Sequence, residues 1–230
     1  MTNPRPLLVT DCDEVLLHMV RHFSTWLDEE HAIDFRIGHH DFMTAMTKAD
    51  GSTPAAEEMW ALLGGFFPGQ MHRQTLVPHA AEALAALRES ADVVVLTNVS
   101  DACRLPRAEQ LASHGIAVRV ETNQGGKGAP VAALVAEHTE GGQAPVTVFV
   151  DDLAVHHDSV ARHAPGVWRL HMVSEPSLAP NVPPAPAAHA RIDDWRDARD
   201  WIAARFADGV PAPDPKPDLT PVPAHDGAPA

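Results

Sequence analysis

The chain is short of cysteine, of positive charge and of long apolar runs, and each shortage removes a class of function. Its two cysteines, Cys12 and Cys103, make no Cys-x-x-Cys pair and cannot build a disulfide framework, which fits a reducing compartment. Lysine and arginine number 17 against 31 aspartates and glutamates, a formal net charge of −14. Phosphate backbones and anionic membranes are bound through surplus cations, so neither nucleic acid nor membrane is an expected partner. An anionic substrate would need a local cation to draw it in, because the global field opposes it. No run of 18 apolar residues occurs, and the opening Met-Thr-Asn-Pro-Arg-Pro lacks the apolar stretch of a signal peptide. The expectation is a cytoplasmic protein. No internal repeat is visible.

What is present is enough for a sizeable core. At 230 residues with 45% hydrophobic and 21% charged, the chain suits one or two globular domains. Its organising stretch is Leu7-Leu8-Val9-Thr10-Asp11-Cys12-Asp13-Glu14-Val15. A strand apolar on both faces belongs inside a covered parallel sheet, and open α/β sheets bind ligands at the C-terminal ends of such strands. Residues two apart in an extended chain point the same way, so Asp11 and Asp13 can address one site. Two carboxylates that close repel by roughly 4 kcal/mol at an effective dielectric of about 20, and call for a proton, a cation or abundant water. An acidic turn with a capping aspartate is the plainer alternative.

Along the chain, Leu16, Val20, Phe23 and Leu27 share one face of an amphipathic helix. Ser52 or Thr53, then Pro54 and Glu57-Glu58, read as a second helix start, continued by Met59, Leu62, Leu63 and Phe66 and ended by Gly64-Gly65 and Pro68-Gly69. Residues 17–76 are thus expected to be an all-helical insertion without a strand. Pro78 opens a helix facing inward through Leu84 and Leu87. Strands and helices then alternate: a strand at 93–96 ending in Thr97-Asn98, a helix over 101–114, a strand at 117–120. Next come a helix starting near Pro130, a strand at 146–150 ending in Asp151-Asp152, a helix through Val155 and Val160, and a strand at 167–173. A Pro/Ala loop over 174–190 precedes a last helix through Trp195, Ala198 and Ile202. From about residue 207 the proline-rich tail reads as disordered. The alternation argues for a parallel sheet covered on both faces.

Three apolar strands end in groups that a phosphoryl-transfer site uses, namely Asp11/Asp13, Thr97/Asn98 and Asp151/Asp152. Lys127 opens a crossover helix between two of them. Taken singly, each has an ordinary explanation as a turn, a helix cap or a solvated charge. Their occurrence in order, each at the matching end of its element, does not.

The set resembles the four motifs of the haloacid dehalogenase superfamily: Asp11-Cys12-Asp13-Glu14-Val15, Thr97-Asn98, Lys127 and Asp151-Asp152. The resemblance spans about residues 5–206. It implies a Rossmann-like three-layer α/β core with a mainly parallel sheet over 1–16 and 77–206, and a small α-helical cap over 17–76, with the 207–230 tail outside both. Glu14 departs from the pattern, since many members carry Gly there. The implied activity is a Mg²⁺-dependent phosphatase acting on a small phosphorylated metabolite through an aspartyl-phosphate. By resemblance, Asp11 is the nucleophile and Asp13 the acid and base. Thr97, the backbone around Asn98, and Lys127 hold phosphate oxygens. Asp11, Asp13 through its backbone carbonyl, and Asp151 or Asp152 hold Mg²⁺. The dehalogenases of the superfamily lack a second aspartate in the first motif, so Asp13 favours phosphate chemistry. Two alternatives remain: phosphotransfer to an acceptor other than water, as in a mutase, and a non-catalytic binding module. The start of the insertion is loosely similar to deoxyribonucleotidase-like members.

Other features are set aside. His18 and His22 share a helix face but find no third ligand at zinc-like spacing. His39-His40-Asp41 and His156-His157-Asp158 read as solvated. Lys127 is followed by Gly128, and Glu121 stands where a P-loop needs its first glycine. Cys12 should point into the core by pleat alternation. Trp60, Trp168, Trp195 and Trp201 read as packing residues. The cap side chains Arg21, Arg36, Lys48, His72 and Arg73 are candidates for substrate contact.

Overall fold

A computed structural model describes residues 4–36 and 44–213 of the chain. Six strands form one parallel sheet: β1 (Leu7–Thr10), β6 (Asp92–Thr97), β7 (Arg119–Thr122), β8 (Thr147–Asp151), β9 (Trp168–His171) and β10 (Ala190–Arg191). Their spatial order is β10-β9-β8-β1-β6-β7. The chain builds outward from β1 through β6 to β7, then crosses back and builds the other way. β1 therefore lies between β8 and β6, with Thr10 level with both Val150 and Val95. That is the switch point where open α/β sheets bind ligands.

Every residue of β1 is buried, as the apolar run requires. Leu8 packs with Val93, Val95, Val148 and Val150 under the helices α3 (Ala80–Leu87), α4 (Arg104–Ser113) and α7 (Trp195–Asp208). Leu7 and Val9 face the opposite way, with Val94, Leu96 and Phe149, under α5 (Gly128–Glu137) and α6 (Ala154–His163). Period-two alternation thus serves two helical layers at once.

The segment between β1 and α3 holds two helices, α1 (Val20–His31) and α2 (Ala56–Gln70), but is not all helical. β2 (Leu17–His18) pairs antiparallel with β5 (Thr75–Leu76), closing the two ends of the insertion together. β3 (Ile33–Phe35) pairs with β4 (Met46–Lys48). Both ribbons are two or three residues long, too short for alternation to be read against the surrounding apolar positions. The insertion has a core around Phe23, Trp26, Phe35 and Phe66, which Val173 and Leu178 from the chain after β9 join.

Several boundaries differ from the sequence expectation. α1 starts at Val20 rather than at Leu16, because Val15, Leu16 and Leu17 all turn their backbone N–H groups onto the Cys12 carbonyl in a tight turn. α2 runs through Gly64-Gly65 and past Pro68, since open space surrounds those glycines and Phe66 anchors the last turns. β10 starts at the last residue of the 174–190 stretch read as a loop. α7 extends to Asp208, and beyond it Ala212 is buried with its N–H donating to the Gly166 carbonyl. Residues 207–213, read as the start of a disordered tail, therefore pack on the main body, and residues 214–230, like His39-His40-Asp41, lie outside the described residues. Among the described residues no helix is long and apolar enough to cross a membrane.

Candidate active site

Adjacency of β1, β6 and β8 brings Asp11, Thr97 and Asp151 to one edge. Lys127, the residue before α5, is delivered to the same place by the crossover. Its ammonium lies 2.7 Å from Asp11 Oδ1 and 2.7 Å from Asp151 Oδ2, with no solvent exposure. Three neighbouring glycines serve this placement. Gly128 donates its N–H to the Ser159 hydroxyl, and a Cβ there would collide with the Ser159 carbonyl on α6. A Cβ on Gly126 would come within 2.7 Å of the same hydroxyl. Gly125 takes a left-handed φ of +82°. The glycine run is a docking device for Lys127 on α6.

Asp11 Oδ1 also accepts the Cys12 N–H at 2.7 Å, which leaves Oδ2 for chemistry. Asp11, Asp151 and Asp152 bring carboxylate oxygens within 4.8 Å of one another. Burial pushes the Asp11 carboxyl up to about 7 against the pull of Lys127, with Asp151 and Asp13 adding to the rise. Burial likewise holds Asp152 well above the ordinary carboxylate range, helped by Asp151, Asp11 and Glu14. Asp151, despite the burial cost, is kept low by Lys127. Three carboxylates, Asp11 and Asp151 buried and Asp152 partly buried, against one lysine leave an excess of two negative charges when all are ionised. An all-oxygen donor set with that deficit fits a hard divalent cation such as Mg²⁺.

Asp13, expected to address the same site as Asp11, has further partners of its own. Its carboxylate is seated on Arg107, whose Nη2 lies 3.0 Å from both oxygens, and Oδ1 also accepts from Gln74 Nε2 at 2.6 Å. Arg107 reaches on to Gln74 Oε1 at 2.8 Å. The Thr97 hydroxyl lies 3.4 Å from Asp13 Oδ2. Neither Arg107 nor Gln74 was a sequence candidate. The signal was present for Arg107: buried Cys103, just before α4, and Arg107 and Leu111 on it recur every four residues, so a charge stands where an apolar residue belongs. Gln74 lies before β5 and carried no signal.

The Asn98 side chain is structural. It donates to the Gly125 carbonyl at 2.9 Å and accepts from Asn123 Nδ2 at 3.0 Å, bracing the loop that carries Lys127. Any contact with an anion falls to the backbone beside it.

His156 and His157, expected to be solvated, are buried. His157 Nε2–H donates to the Asp151 carbonyl at 3.0 Å, and its ring packs edge-on against Phe149 and His171. His156 Nε2 lies 3.4 Å from Asn98 Nδ2. A helix that starts at the sheet edge turns its first inward face into the site, which an isolated polar triplet does not reveal.

Cys12 is fully buried and desolvation drives its thiol far up, so it is inert. Trp195 is buried with its indole N–H on the Val15 carbonyl, whereas Trp60, read as packing, is 47% exposed. Among the cap cations, Arg21 pairs with Glu175, Arg36 with Asp34, Lys48 with Glu58 and Arg73 with Glu29, while His72 is exposed.

Glu14 has a φ of +58°, the left-handed region that glycine tolerates best, which accounts for glycine at this place in the resembled pattern. Its Oε1 accepts the Met19 and Val20 N–H groups at 2.7 and 2.6 Å, capping α1. Burial pushes this carboxyl up to about 7, against the pull of those two N–H groups.

The fold and the edge it builds define an α/β protein with an acidic, lysine-bridged site at the switch point of a doubly wound sheet. The chain carries the fold of the haloacid dehalogenase superfamily. It is similar to a predicted phosphoglycolate phosphatase from Haemophilus somnus, at 17% identity and a TM-score of 0.61, over 88% of this chain and 99% of that one. It is similar also to a protein described as a β-phosphoglucomutase from Thermotoga maritima, at 12% identity and a TM-score of 0.55, over 86% and 99%. A third similar structure is a defluorinating L-2-haloacid dehalogenase, at 11% identity and a TM-score of 0.53, over 88% and 99%. Three activities on one architecture mean that the fold alone does not select the reaction. No protein-family model and no curated protein sequence matches the chain.

Proposed function

We propose that this protein is a Mg²⁺-dependent phosphatase that hydrolyses a small phosphorylated metabolite through an aspartyl-phosphate on Asp11. The observation that carries the reading is Asp11 joined to the buried Asp151 by Lys127, with Asp152 beside them, at the C-terminal end of the central strand.

Asp11 Oδ2 attacks phosphorus and the ester oxygen leaves, taking a proton from Asp13. Water then attacks the same phosphorus, giving its proton to Asp13 and releasing phosphate and free Asp11. Acting in both steps requires one Asp13 oxygen to exchange its seat on Arg107. Oδ2, whose other partner is the 3.4 Å Thr97 hydroxyl, is less committed than Oδ1. Lys127 favours the ionised form of Asp11 against the cost of burial and offsets charge on the phosphoryl oxygens. Thr97 and the backbone beside Asn98 receive phosphate. Mg²⁺ on Asp11, Asp151 or Asp152, and the Asp13 backbone carbonyl would supply charge neutralisation and orientation of the phosphoryl group.

Asp13 supports this over carbon–halogen cleavage, because halide departs without a proton. The cap, with its apolar core, supports a small substrate shielded from bulk water. The test is hydrolysis of an aryl phosphate by wild type and Asp11→Asn, with and without Mg²⁺. Turnover that needs both Asp11 and Mg²⁺ is expected. Turnover surviving the substitution and chelation, or release of halide from a 2-haloacid without release of phosphate from any ester, overturns the proposal.

A further inference from the structure

Outside the catalytic edge, one buried cluster has polar atoms with no explanation. Glu14 follows β1, His18 is on β2, and Glu175 lies in the loop after β9. Each side chain is at most 5% exposed. Glu14 Oε2 and His18 Nδ1 are buried with no hydrogen-bond partner among the described residues. The Ser174 N–H and hydroxyl both donate to the Glu14 carbonyl, which locks the loop bearing Glu175 against the strained residue.

Distances decide what this arrangement is. His18 Nδ1 lies 3.5 Å from Glu175 Oε2 and 4.0 Å from Glu14 Oε2. Hydrogen bonds between nitrogen and oxygen are shorter, about 2.7–3.2 Å, so an imidazolium would bond neither carboxylate in this posture. Two ligands each about 2.1 Å from one cation stand about 3.4 Å apart at the tetrahedral angle and about 4.2 Å apart across it. Both separations from His18 fall in that interval, 3.5 Å near the tetrahedral spacing and 4.0 Å wider than it. Capping α1 uses Glu14 Oε1 alone, so the burial of its unpartnered Oε2 is a cost that the cap does not explain.

We infer that Glu14, His18 and Glu175 form a second cation site, separate from Asp11, Asp151 and Asp152, which takes a divalent transition ion such as Zn²⁺. One imidazole and two carboxylates suit zinc better than magnesium, which prefers oxygen alone. Arg21 Nε lies 2.7 Å from Glu175 Oε2. A carboxylate oxygen has two lone pairs, so this half-exposed arginine can remain as an outer partner while the oxygen ligates. His22, the helical neighbour of His18, is not part of the site, since its Nε2 is within 3.0 Å of the Thr75 hydroxyl. The ion would tie the start of the cap to the loop after β9, and the inference stands whatever reaction the catalytic edge performs.

Zinc binding to the full chain by calorimetry, in excess Mg²⁺ to fill the catalytic edge, tests it. Wild type and Asp152→Asn are expected to bind one Zn²⁺, and His18→Asn to bind at least 100-fold more weakly. X-ray absorption on the zinc-loaded wild type is expected to show one imidazole among oxygen ligands. No zinc binding by wild type, equal binding by folded His18→Asn, loss of the site in Asp152→Asn, or a shell without imidazole overturns it. Should His18→Asn not fold, Glu175→Gln and the absorption spectrum decide.

Discussion

Removing the guanidinium from Arg107 isolates what seats Asp13. Arg107 has no solvent exposure and Asp13 is 16% exposed, so the pair is screened little. With Nη2 3.0 Å from both oxygens, the charge centres lie about 4 Å apart, worth about 4 kcal/mol at an effective dielectric near 20. Desolvation and the fixing of both side chains consume part of that. Arg107→Met and Asp13→Asn should each destabilise by about 2–4 kcal/mol, because each strands a partner. The double variant should lose less than their sum, by about 2–3 kcal/mol, which is the coupling. Urea unfolding of all four proteins at constant m-value measures it. A coupling within about 0.5 kcal/mol of zero would refute the claim that the ion pair holds Asp13. Under the proposed activity, Arg107→Met should also lower turnover by about 10- to 100-fold, since a misplacement of about 1 Å costs that much. Arg107→Lys, which restores charge but not the planar fork, should recover only part of it.

Lys127→Met leaves Asp11 and Asp151 facing each other without their shared cation and should cost about 3–5 kcal/mol, read as a lowered urea midpoint; a loss under 1 kcal/mol would count against the bridge. Gly128→Ala drives a Cβ into the Ser159 carbonyl and should destabilise by at least 1–3 kcal/mol, while Gly65→Ala, helical and facing open space, should stabilise by about 0.5–1 kcal/mol; thermal melts of the two should move in opposite directions. Burial holds His157 at about 4, below its unfolded value near 6.5, with Asp151 opposing the shift. The unfolded chain therefore binds the extra proton first, so its contribution is full above pH 6.5 and is lost as pH falls toward 4, on the order of 3 kcal/mol. Urea midpoints across that window should fall less steeply in His157→Asn, and an unchanged slope would assign the acid sensitivity elsewhere.

Local chemistry was sufficient for a parallel α/β sheet and for five of its six strands, β1, β6, β7, β8 and β9, with the polar residues that follow them. Leu7 to Thr10 is apolar on both faces, and an unbroken apolar run has no stable place except between two layers. Asp11, Thr97, Lys127 and Asp151 could be marked because each sits at the end of an element whose direction the pattern fixes. Short ribbons escaped, since two residues of β2 or β10 carry no period, and their pairing depends on β5 and β9, distant in sequence. The partners escaped for the same reason. Arg107 finds Asp13 only because α4 packs beneath the strand edge, and His18 meets Glu175 only because the loop after β9 folds back over the start of the cap. Periodicity within a segment determined which face is buried; which buried charges meet was decided by how separate segments pack, because that depends on distances through space that no local spacing encodes.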